Sequence, residues 1–203
     1  MTHLYRGAFV LLTALTCAAG SACQLRRPDV IPARMLDPQL PEPALPSASA
    51  SQPRSSAAIP IRLLDTQARS HIGRALLHQR AGGELSEDSI WRWSSTPDRY
   101  LDSALRLALN SSPDVRLVDT ANAPAMAVTL LVWQLESAGS TQLVGAVELT
   151  GIAASCTVRT QMIRRREPVS QELPGNLAAA AGPFLLGLGS ESLARAIHEA
   201  SSK

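Results

Sequence analysis

The chain has 203 residues, with 19 Lys and Arg against 17 Asp and Glu, so its formal net charge is only +2. That balance leaves no electrostatic footprint for nucleic acid. Three cysteines do not make a disulfide framework, and the stretch from Ile59 onward is long enough for one domain with its own core.

The first 23 residues have the layout of a targeting signal. Arg6 precedes an apolar run, Gly7 to Leu15, and small residues come after it, ending in Gly20-Ser21-Ala22-Cys23. A helix needs about 20 apolar residues to span a bilayer, so this run reads as the core of a signal peptide. The cysteine behind the small residues makes it a bacterial lipoprotein signal over 1–22, with the lipid on Cys23. Cys17 competes for that role, but Thr16 before it suits the peptidase poorly and the apolar run left to it is very short. A plain secretory peptide cut after Ala22 is the simpler alternative. Several acyl chains on one cysteine give stable anchoring. Gln24, in place of an Asp that would resemble an inner-membrane retention signal, favours the outer membrane.

Residues 23–58 differ in composition from the rest of the chain. Pro28, Pro32, Pro38, Pro41, Pro43, Pro46 and Pro53 alternate with Ser and Ala. Such a segment buries too little apolar surface to offset its ordering entropy, so it is expected to be a disordered or polyproline-like tether. At about 3.1 Å per residue it would reach roughly 100 Å. An inert spacer would look the same.

The folded part is expected to begin with a strand at Ile59–Leu64. A second strand at Arg74–Gln79, a Gly82-Gly83 turn and a third strand at Leu85–Trp93 suggest a hairpin. Thr96-Pro97-Asp98 opens a helix: Thr caps, Pro sits at the first position and Asp meets the positive end of the dipole. Leu101, Ala104, Leu105, Ala108 and Leu109 then share one face, and Ser111-Ser112-Pro113 ends the helix. Val115–Val118 reads as a short strand. Ala125–Glu136 is nearly all apolar, which predicts a central strand covered on both faces. Leu143–Thr150 and Cys156–Ile163 continue it as an antiparallel meander. Leu177–Ser202 is helical in composition, with expected breaks at Gly182-Pro183 and Gly187-Leu188-Gly189 and a new cap at Ser190. The sum is an α+β two-layer domain over 59–203: a mostly antiparallel sheet with two helices packed on one face.

Motifs for catalysis are missing. The sequence has no G-x-x-x-x-G-K-[ST] and no G-x-S-x-G, and Gly187-Leu188-Gly189-Ser190 lacks the strand-to-helix setting of a nucleophile elbow. His71 and His78 have no neighbouring cluster of Cys, Asp or Glu and read as surface or satisfied histidines; no metal and no cofactor are expected. Cys156, among small residues, reads as a buried core thiol. No enzyme activity is expected, and a periplasmic hydrolase is the weakest of the readings. Trp91 and Trp93 share a strand face by parity while Arg92 faces away. They are the candidates for contact with a partner or a lipid chain, although packing on the first helix is the plainer role. Pro183–Leu188 is a second apolar candidate with the same plainer alternative. Arg164-Arg165-Arg166-Glu167 has the charge to meet anionic head groups or an acidic partner, or it is a solvated loop.

The order of these features resembles a known family. A lipoprotein signal is followed by a hairpin ending in Ile90-Trp91-Arg92-Trp93, then by Pro97 and the helix Tyr100-Leu101-Asp102-Ser103-Ala104-Leu105, a meander and a terminal helix rich in Ala and Leu. This is similar to the ABC-type transport auxiliary lipoproteins, the lipoprotein component of Pqi-type MCE lipid-transport systems, over about Ile59 to Ala200. The resemblance implies a non-enzymatic periplasmic accessory, lipid-anchored in the outer membrane. Its partner would be an MCE-type periplasmic protein, and it allows for a homo-oligomeric ring. A lipoprotein activator or scaffold of a peptidoglycan synthase is the alternative, because that class also joins a Pro-rich tether to a small α/β domain.

Overall fold

The structure is a computed structural model that describes residues 31–40, 58–138, 140–152, 158–169 and 174–201. Ala33–Lys203 forms one unit, separate from Met1–Pro32. The lipoprotein signal with Cys17 and Cys23, the greater part of the Pro-rich stretch, and Cys156 lie outside the described residues.

Nine strands and two helices succeed one another in the described residues: β1 (Arg34–Leu36), β2 (Ile59–Leu63), β3 (Gln67–Ala68), β4 (Ala75–Gln79), β5 (Leu85–Trp93), α1 (Pro97–Ser111), β6 (Val115–Leu117), β7 (Ala125–Ala138), β8 (Ser140–Ile152), β9 (Val158–Pro168) and α2 (Pro174–Ser201). The spine of the sheet is β7, whose near-continuous apolarity made it the expected central strand. On one side it pairs antiparallel with β8 along its whole length, and β8 pairs antiparallel with β9. On the other side β2, β3 and β4 lie in succession, each parallel to a different stretch of β7. β4 forms the antiparallel hairpin with β5, turning through Gly82 and Gly83. Both glycines have positive φ, 102° and 87°, a conformation that a side chain disfavours. Most paired residues are antiparallel and the parallel junctions are short, so the α+β two-layer architecture is the observed one.

Helix α1 forms where the apolar spacing and Pro97 place it. It buries Leu101, Ala104, Leu105, Ala108 and Leu109, and Ser112 ends it by donating its N–H to the carbonyls of Ala108 and Leu109. Thr96 occupies the N-cap position in an extended conformation, but its side chain makes no capping bond.

Three expectations are corrected. Residues 34–36 were expected to belong to a disordered tether, yet they form β1, parallel to β5 in the register Arg34↔Trp91, Met35↔Arg92 and Leu36↔Trp93. Leu36 is 2 % exposed, and one buried leucine contributes about 2 kcal/mol, enough to hold a short strand that composition alone would leave loose. The terminal helix was expected to break twice, but α2 is continuous through Pro183. A proline inside a helix costs about 3 kcal/mol. Burial of Phe184, Leu185 and Leu188, at most 1 % exposed, outweighs that at about 1.5–3 kcal/mol each. Pro183 itself points to solvent. Finally, Arg164–Glu167 is not a loop: β9 runs through it to Pro168.

The core lies between the sheet and the two helices. Met126, Val128, Leu130, Trp133 and Leu135 from β7 meet Leu143, Val147 and Leu149 from β8 under α1 and α2. The stretch Asn176–Arg195 of α2 is long and apolar enough to cross a membrane, but half of it is buried inside this unit. It reads as a core helix.

Candidate functional site

Trp91 and Trp93 were the candidates for a contact site, with core packing the plainer role for at least one of them, and the structure separates the two. Trp93 is fully buried. Its ring lies 5.5 Å from that of Trp133, tilted by 58°, and Trp133 meets Phe184 edge-on at 5.6 Å. These three rings, from β5, β7 and α2, form the centre of the core, in the offset geometries that aromatic pairs favour. Trp93 therefore presents nothing to a partner. Phe184, Leu185 and Leu188 of the second apolar candidate are core residues too. Trp91 is half-buried at the rim of the core, and the Arg34 guanidinium covers its ring at 5.5 Å.

The hairpin that carries the tryptophans is irregular. The β4–β5 register shifts between Ala75 and Leu77, so that Ala75 faces Arg92 while Leu77 faces Glu87. The residues between bulge out and lose their ladder partners. Asp88 replaces them: its Oδ1 accepts from the N–H groups of Ile90 and Trp91, both at 2.8 Å, and its Oδ2 lies 2.9 Å from Nε2 of His78. Burial alone would raise the Asp88 pKa, but the Trp91 and Ile90 N–H groups and the His78 ring together hold it below the ordinary aspartate value. His78 is thus a satisfied histidine, as expected. His71 is exposed.

The sheet face away from the helices carries a polar lattice that pattern reasoning missed. Glu136 Oε1 accepts from Arg164 at 2.8 Å and its Oε2 from Arg166 at 3.3 Å, so two arginines of β9 reach across β8 to one carboxylate of β7. Gln134, 6 % exposed, donates to Glu136 at 3.2 Å and to Gln79 at 2.7 Å. Arg165 points to the other face, its guanidinium 5.8 Å from the Phe184 ring and 3.6 Å from Glu167. The arginine run is therefore paired within the fold and is not a free basic patch. The i, i+2 alternation of Arg164 and Arg166 was visible in the sequence; the acceptor on β7 was not.

An open cleft of about 450 Å³ lies at the β4–β5 end, between His71, Arg74 and Arg92 on its rim and Ala75 and Leu77 on its floor. Arg74 is already engaged, its Nε donating to the Trp93 carbonyl at 3.0 Å. Among the described residues no group of three or more His, Cys, Asp or Glu side chains is placed to hold a metal ion.

No family model matches this sequence, and no curated protein matches it either. Solved structures share its fold. Protein XCC0632 from Xanthomonas campestris, a member of the DUF330 family, superposes with a TM-score of 0.64 over 84 % of this chain and 99 % of its own, at 14 % identity. An uncharacterised protein gives 0.55 over 69 % of this chain and 91 % of its own, at 12 % identity. The hypothetical protein CT253 from Chlamydia trachomatis gives 0.51 over 68 % and 95 %, at 13 % identity. At these identities the likeness is one of fold: the unit built on β7 is an architecture that this chain shares with XCC0632 over almost all of the latter's length.

Proposed function

We propose that this chain is a periplasmic lipoprotein, anchored in the outer membrane through Cys23, that serves as a non-enzymatic accessory of an MCE/ABC-type lipid-transport system. The observation that carries this reading is the signal ending in Gly20-Ser21-Ala22-Cys23, set ahead of a domain whose element order matches the resemblance. That order is the hairpin with Ile90-Trp91-Arg92-Trp93, the helix opened by Pro97, the meander and the terminal helix. The pairing of Glu136 with Arg164 and Arg166 and the Asp88–His78 bond act as supports of the sheet, which favours a binding role over a chemical one. In this role the domain holds a partner and the lipid keeps it at the membrane.

Metabolic labelling with palmitate tests the anchor. The wild-type chain is expected to take up label and to sediment with membranes, and Cys23→Ser to lose both. Uptake of label by Cys23→Ser would place the lipid elsewhere and contradict the assignment.

A further inference from the structure

We propose that residues 34–40 are a reversible clip that sets the length of the tether; the clip itself stands on the structure, and its meaning as a tether length rests on the anchor at Cys23. The seat is built for this segment from three directions. β5 offers its edge, and beyond the three paired residues Ser94 donates its N–H to the Leu36 carbonyl at 2.8 Å. The β5–α1 junction offers a polar catch: Asp37 Oδ1 accepts from Tyr100 at 2.8 Å and from the Ser94 hydroxyl at 2.7 Å, while the Tyr100 oxygen accepts the Ser95 N–H at 2.9 Å. Helix α2 offers room at Gly182, where a Cβ would stand 2.0 Å from the Gln39 carbonyl oxygen. Leu36 and Pro38 are buried, and Leu40 packs against the core.

The same contacts leave the clip more weakly held than the long core strands β7 and β8. β1 has three residues at the sheet's edge, and its polar links lie at the exposed surface. Segments with few buried contacts and exposed hydrogen bonds open at lower free energy than the core. The covalent chain gives the consequence. Closed, only residues 24–33 separate Cys23 from the folded unit, which allows at most about 35 Å. Open, the first residue fixed in the fold is Ile59, and the limit rises to about 120 Å. The Pro-rich stretch is thus a tether of two lengths, short while the domain keeps its own segment and long when it lets go.

Hydrogen exchange on the full lipidated chain in detergent, followed by mass spectrometry, tests the clip. Amides of 34–36 are expected to exchange at least tenfold more slowly than an unstructured peptide and at least tenfold faster than those of β7 and β8. Gly182→Ala, which removes the room for Gln39 while adding helix propensity, is expected to speed exchange of 34–36 at least fivefold and leave β7 and β8 unchanged. Tyr100→Phe, which removes the tyrosine's part of the catch without altering α2, is expected to act in the same direction. Unprotected amides at 34–36 in the wild type would overturn the clip. So would exchange that matches β7 in the wild type, because the strand would then be permanent. Neutron reflectivity of the chain on a supported bilayer reads the length: the domain is expected within about 35 Å of the surface, moving outward in Gly182→Ala. A domain already beyond that limit in the wild type would overturn the two-length tether. Failure to attach to the bilayer would count against the Cys23 anchor, while the exchange result would still decide the clip.

Discussion

Trp133→Ala is expected to lower the unfolding free energy by about 3–5 kcal/mol, the range for removing a large aromatic from a packed interior. Trp133 is 1 % exposed and touches both other rings of the trio, Trp93 at 5.5 Å and Phe184 at 5.6 Å. Its loss therefore unstacks two pairs and leaves a cavity where the central strand, the hairpin and α2 meet. For a domain of this size the melting temperature should fall by about 10–20 °C. Trp133→Phe keeps a ring in the same place and should lose distinctly less. Thermal unfolding followed by near-ultraviolet circular dichroism checks both; a loss below about 1 kcal/mol for Trp133→Ala would mean that the trio is not the centre of the core.

Asp88→Ala is expected to cost about 2 kcal/mol at neutral pH, because it strips partners from two backbone N–H groups and from His78 in one step. The effect depends on pH with a definite sign. The folded-state pKa of Asp88 is depressed, so its contribution is complete above the unfolded value of about 3.9 and is lost as the pH falls through the folded value. The stability gap between the wild type and Asp88→Asn should thus be widest at neutral pH and close as the pH drops below about 4. Urea unfolding at a series of pH values measures it. A gap that stays constant down to about pH 3 would show that the carboxylate charge is not what supports the bulge.

Local pattern made much of this fold legible. The spacing of Leu101, Ala104, Leu105 and Ala108 describes α1, the apolar run of β7 marks the spine, and Gly82-Gly83 marks the hairpin turn. Each of these signals lies within one element. The features that escaped depend on partners far away in the chain. β1 is three residues in a Pro-rich stretch, and the edge of β5, the catch at Tyr100 and the room at Gly182 give it a place. β2, β3 and β4 share one side of β7 in parallel, a register that none of their own residues specifies. Continuity of α2 through Pro183 comes from the surface that Phe184, Leu185 and Leu188 bury, which no propensity reports. The site divides in the same way. Parity puts Trp91 and Trp93 on one strand face, but Trp133 and Phe184 decide that Trp93 is core and leave Trp91 at the rim. The arginine run looked like an exposed patch until Glu136, on a strand two places away, took up Arg164 and Arg166.

Among the described residues, Trp91 lies half-buried beneath Arg34, and the lattice around Glu136 lies on the sheet face away from the helices. The transport reading requires that an MCE-type protein binds the domain. Affinity purification of the full lipidated chain from detergent-solubilised membranes, with the bound proteins identified by mass spectrometry, tests this most directly. Recovery of an MCE-domain protein in near-equal amount, retained after washing, is the predicted result. Recovery of a peptidoglycan synthase with no MCE-domain protein would contradict it.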